Sequence, residues 1–208
     1  MAVAFGVAVL FATVISGWAA DTEDLMRAAT QGNLEMARQL LDEGVPINAI
    51  NSENWTALMI ASYEGHTAVA KELLDRGADV NIRGDAGWTA VMQAAQFGHL
   101  DIVKLLVDKG AQLDDQSVNG SSGLMFAANN GHKAVVGYLV EKGADVNLAD
   151  RLGRTALILC ASQGYADICQ ILLDGGADPN LQNTSGKTAL DIATQNGYDE
   201  VVDLLTGR

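Results

Sequence analysis

Three residue series run through this chain in step, each advancing by 33 residues. Thr56 recurs as Thr89, Thr155 and Thr188, with Ser122 at the intervening step. Gly65 recurs as Gly32, Gly98, Gly131, Gly164 and Gly197, and Gly77 as Gly44, Gly110, Gly143 and Gly176. A period of this length restricts the chain to a stack of like units, none able to bury its apolar face alone.

One unit, Asn51 to Arg83, states the local rules. The Thr56 hydroxyl suits an N-cap, accepting from a free N–H of the first helical turn. Ala57 to Ala61 then form a short, small, apolar helix. Gly65 allows the chain to reverse. A second helix carries Val69, Ala70, Leu73 and Leu74 on one stripe, with Lys71, Glu72 and Asp75 elsewhere. Gly77 stands at the C′ position that ends it, and the Asp-, Asn- and Gly-rich stretch beyond reads as an extended excursion closed by a turn.

This pattern resembles the ankyrin repeat. The marks are T-A-L-M from Thr56, A-S-x-x-G-H from Ala61 and L-L-x-x-G-A-D-V-N from Leu73, and the likeness runs over 21–208. The family's T-P-L-H is replaced by TALM, TAVM, SGLM, TALI and TALD. Alanine, also a strong helix former, takes the proline position in four of these. Met59, Met92, Met125, Ile158 and Asp191 take the histidine position, so apolar contact is expected there in place of hydrogen bonds. The resemblance implies an all-α solenoid of about six stacked helix-turn-helix ankyrin repeats, the terminal ones acting as caps, joined by β-hairpin-like finger loops. It also implies a non-catalytic protein–protein interaction module, without cofactor, that binds its partner in a concave groove.

The first repeat, 21–50, lacks its leading finger. Four follow at 51–83, 84–116, 117–149 and 150–182, and 183–208 closes the array. The fourth is the least regular. Asp114-Asp115-Gln116 replaces the V-N-x run, and Gly120 to Gly123 add flexibility, so 111–123 is the expected soft seam.

Residues 1–20 carry no charged side chain, and an apolar run ends in Ser16-Gly17-Trp18-Ala19-Ala20. That reads as a signal peptide and a periplasmic or secreted product. An uncleaved membrane anchor over 1–20 is the alternative.

The 208 residues carry a net charge of −13. Such a field repels phosphate backbones and anionic lipid, which argues against nucleic acid and membrane partners and favours another protein with a basic surface, with charge serving solubility alone as the alternative. A monomer is expected.

Reactive groups do not converge. His66, His99 and His132 share one repeat position, with Tyr165 and Tyr198 in the last two repeats, so the repeat itself explains them. Met59, Met92 and Met125 read as core packing, with a soft copper site as the alternative. Cys160 and Cys169 lie on the two helices of the fifth repeat, at similar distances from the reversal. Export would permit a disulfide. Both positions also read as core, where free cysteine packs as a small hydrophobe, and helix spacing could exceed disulfide reach. A metal-handling or redox-linked envelope protein using these Met and Cys residues is the alternative function.

Binding residues are sought where the repeats differ. The residue before the cap is Trp55, Trp88, Ser121, Arg154 and Lys187 in turn. The pair before the turn glycine is Tyr63-Glu64, Gln96-Phe97, Asn129-Asn130, Ser162-Gln163 and Gln195-Asn196. Trp55, Tyr63, Trp88 and Phe97 fall in two adjacent repeats, as interface anchors do. Glu53, Glu64 and Asp85 give them an acidic rim. Asn129 and Asn130 continue the surface, and Arg151 and Arg154 turn it locally basic. Packing of the tryptophans on neighbouring fingers is the competing reading.

Overall fold

The computed structural model describes residues 22–207; the expectations for residues 1–20 lie outside these. Helix α1 spans 22–31 and α2 Leu34–Asp42. The following pairs are α3 Ala57–Glu64 and α4 Thr67–Asp75, α5 Ala90–Gln96 and α6 Leu100–Asp108, and α7 Gly123–Asn129 and α8 Lys133–Glu141. The last two are α9 Ala156–Gln163 with α10 Ala166–Asp174, and α11 Ala189–Asn196 with α12 Asp199–Thr206.

The helices form two layers. In the first, α3, α5, α7, α9 and α11 stack each on the next; in the second, α4, α6, α8, α10 and α12 do the same behind them, α2 packing on α4. The layers follow from the sequence. Helix α3 shows no polar stripe over Ala57 to Ser62, and these residues are buried because its neighbours enclose them. Helix α4 buries only Val69, Ala70, Leu73 and Leu74.

The ends are set locally. Thr56, Ser122, Thr155 and Thr188 each accept from the N–H three residues on. Helices α2, α4, α6, α8 and α10 each end in a Schellman arrangement: after α4, Ala78 N–H donates to Leu73 O at 2.9 Å and Gly77 N–H to Leu74 O at 3.2 Å.

Five fingers precede the first helices, at 51–55, 84–88, 117–121, 150–154 and 183–187. Each closes by a bond from its first N–H to its last C=O: Asn51 to Trp55, Gly84 to Trp88, Ser117 to Ser121, Asp150 to Arg154 and Asn183 to Lys187, at 2.8–3.0 Å. Asn51, Asp150 and Asn183 also accept two finger N–H groups on their Oδ1. Fingers two to five are joined tip to tip by backbone bonds, from Val118 N–H to Ala86 O, Arg151 N–H to Asn119 O and Thr184 N–H to Leu152 O. The first finger joins the second through Asn54 Nδ2, which donates to Asp85 Oδ1 at 2.7 Å. The fingers are hairpin-like in closure only. Among the described residues the β pairing is confined to an isolated bridge between Ile50 and Thr56.

The stretch 111–123 is stitched rather than loose. Asp114 Oδ1 accepts the Asp145 N–H at 2.8 Å, as Asn48, Asn81 and Asn147 do for Asp79, Gln112 and Asp178. Gln116 Nε2 donates to Gly120 O and, at 3.0 Å, to Ala149 O.

Candidate binding surface

The first helices place one aromatic row. Trp55, at the end of the first finger, meets Tyr63 edge to face at 5.7 Å between ring centroids, and Tyr63 meets Phe97 at 4.5 Å. Tyr63 and Phe97 are each 39% exposed although large and apolar. Trp55 is half-buried and packs against the core. Glu53, Glu64 and Asp85 are exposed.

Trp88 does not join this row. It stacks on Phe126 of α7, with centroids 4.3 Å apart and planes at 23°. The sequence does not single out Phe126, because its repeat equivalents Ile60, Leu159 and Ile192 are apolar. The fourth equivalent, Gln93, was the available signal that the position tolerates a polar neighbour.

Trp88 and Phe126 line a groove of about 470 Å³ with Ser117, Asn119, Ser121 and the fourth finger, Asp150 to Leu152 and Arg154. Arg154 donates through Nε and Nη2 to Asp150 Oδ2, both at 2.7 Å. The Asp150 side chain is only 2% exposed, and this pairing, with its two backbone donors, satisfies the buried charge. Arg151 is exposed. Asn129 donates to Asn130 Oδ1, and Asn130 Nδ2 to Gln96 O at 3.1 Å, so Asn130 ties two repeats together.

The recurring residues are structural. His66, His99 and His132 place Nε2 2.9, 3.1 and 2.8 Å from the carbonyl oxygens of Thr30, Tyr63 and Gln96 in the preceding repeat. They supply between repeats the kind of hydrogen bond the methionine positions lack. Met59, Met92 and Met125 are buried in the core, at most 1% exposed. Cys160 and Cys169 are fully buried and disulfide-bonded, with Cα atoms 5.8 Å apart, because the hairpin brings α9 and α10 together at these two turns. Core burial and bridging thus hold together rather than compete. Among the described residues, no group of three or more His, Cys, Asp and Glu is arranged to hold a metal ion, and no helix is long and apolar enough to cross a membrane.

Stacked helical hairpins with fingers, a row of exposed aromatics and shallow grooves define a helical-repeat binding scaffold. The chain belongs to the ankyrin repeat family: the family model for ankyrin repeats (3 copies) matches residues 3–84, 25–117, 80–150 and 124–208. It is similar to the crystal structure of an ankyrin repeat domain from Acinetobacter baumannii AYE. The TM-score is 0.82 at 32% identity, covering 88% of this chain and 96% of that one. A search of curated protein sequences returns no match. Ankyrin repeats are general protein–protein interaction modules, typically non-catalytic.

Proposed function

We propose that this chain is a non-catalytic binding array that holds a basic partner protein against its finger side, outside the cytoplasm, as an inhibitor of or accessory scaffold for another envelope protein. The observation that carries this reading is the Trp55–Tyr63–Phe97 row, in which Tyr63 and Phe97 stand exposed among polar neighbours and carboxylates. Rings in such settings anchor interfaces, each worth about 2 kcal/mol or more. The uncharged apolar stretch over 1–20 and the Cys160–Cys169 bridge support export. The test is affinity capture from an envelope extract with wild-type bait and with Tyr63→Ala/Phe97→Ala bait of unchanged circular dichroism. A partner retained equally by both baits refutes the assignment of the row.

A further inference from the structure

The finger side changes sign along its length. Beside its first two fingers stand the exposed Glu53, Glu64 and Asp85, and the cation between those fingers, Arg83, is engaged by Asp115 and the Gln116 carbonyl. Residues 117–133 and 151–166, which hold the third and fourth fingers with α7 and α9, contain no Asp or Glu at all. Asp150 stands between them, buried and paired with Arg154. In a chain of net charge −13 this is a local reversal, centred on the groove beneath the fourth finger.

That groove offers donors beside an apolar wall. Arg154 uses Nε and Nη2 on Asp150, and its Nη1 group has no partner among the described residues; neither has the exposed Arg151 guanidinium. A guanidinium keeps five N–H donors in a fixed fork that suits a carboxylate. The stacked Trp88 and Phe126 lie alongside, and Leu152 at the finger tip is 55% exposed. A smaller recess of about 110 Å³, lined by Met125, Phe126, Asn129, Arg154 and Leu159, extends the groove toward α9.

We propose that this groove is a carboxylate subsite, which binds an acidic side chain flanked by an apolar one on an extended segment of the partner protein. Resting on the function proposed above, it gives the partner a direction: the basic end lies on the Trp55–Tyr63–Phe97 row and the acidic–apolar end lies under the fourth finger. Charge complementarity of this kind sets register and orientation more than raw affinity.

The probe is a displayed library of randomised 16-residue peptides selected against the whole protein, the winners being synthesised and titrated by fluorescence anisotropy. The expected winners carry Lys or Arg at one end and Asp or Glu beside Leu, Phe or Trp at the other, in one constant order. Arg151→Glu, at an exposed position that leaves the fold intact, should weaken them about tenfold, the effect of roughly 1.4 kcal/mol. Lysine at the peptide's acidic position should restore binding to that variant. The subsite is refuted if Arg151→Glu changes affinity less than twofold, or if the lysine peptide fails to rescue, while Tyr63→Ala/Phe97→Ala abolishes binding; the function proposed above then stands. If neither variant matters, or no peptide is enriched, both ideas fall.

Discussion

His99 Nε2 lies 3.1 Å from the carbonyl oxygen of Tyr63, in the preceding repeat. The same imidazole covers Gly65, where an added Cβ would come within 2.5 Å of it, and lies nearly parallel to Phe97 at 6.3 Å. Tyr63 and Phe97 are therefore set against one another by a contact that belongs to the stacking of repeats. The candidate anchor is as rigid as the array itself.

Three glycines test this frame with opposite expectations. Gly65→Ala meets both a left-handed φ of +79° and the His99 ring. Gly77→Ala meets φ +89° but open space, so it should cost about 1–2 kcal/mol, the left-handed penalty alone. Gly65→Ala should cost distinctly more. Gly123→Ala has 3.7 Å of clearance and no positive φ, and alanine fills the equivalent positions 57, 90, 156 and 189. It should stabilise the fold by about 0.5–1 kcal/mol. Denaturant unfolding of the three variants checks the order.

Trp55 and the two exposed rings should separate stability from binding. Trp55→Ala removes a half-buried ring packed on the core and should cost about 2 kcal/mol, below the 3–5 of a fully buried tryptophan. Tyr63→Ala and Phe97→Ala should each cost less than about 1 kcal/mol in stability. Urea titrations decide. A Tyr63→Ala variant as unstable as Trp55→Ala would make the row a structural feature.

Glu72 predicts the acid response of the first two repeats. Its carboxylate accepts from Arg76 Nε at 2.7 Å and Arg38 Nε at 2.9 Å, and these bonds, Arg76's first, hold its pKa below the usual carboxylate value. A carboxyl with a depressed folded pKa stabilises the fold above its unfolded pKa and loses that contribution as pH falls through the folded one. Glu72→Gln should therefore lower Tm by a few degrees near neutrality, and the gap from wild type should close on acidification. A gap that stays constant with pH would mean that charge is not the cause.

The Cys160–Cys169 bridge closes a short loop, and the chain-entropy account gives about 2.5–3 kcal/mol for a ring of roughly ten residues. Denatured, unreduced protein should show no titratable thiol, and reductant should lower the denaturation midpoint. Two reactive thiols before reduction would show the pair to be open.

The fold was legible because its rules are local and repeated. Thr56, Thr155 and Thr188 cap, and Gly77 ends its helix with φ +89°. Thr89 reads the same way in sequence, yet its hydroxyl is buried without a partner; nothing in the structure explains the difference. The surface was legible only in part. Tyr63 and Phe97 stand out in the sequence because their positions vary between repeats, and both are exposed, whereas the partnership of Trp88 with Phe126 depends on how far one repeat turns against the next. Likewise Arg154 reads as a free cation until its neighbour Asp150 is seen to be buried beneath it.

The rungs between finger tips have a mechanical consequence. Backbone bonds weld fingers two to five into one plate, and the first finger hangs on that plate by the side chains of Asn54 and Asp85. A load drawn along the array should part that side-chain clasp first, opening the scaffold from its amino-terminal edge while the rest still holds its shape.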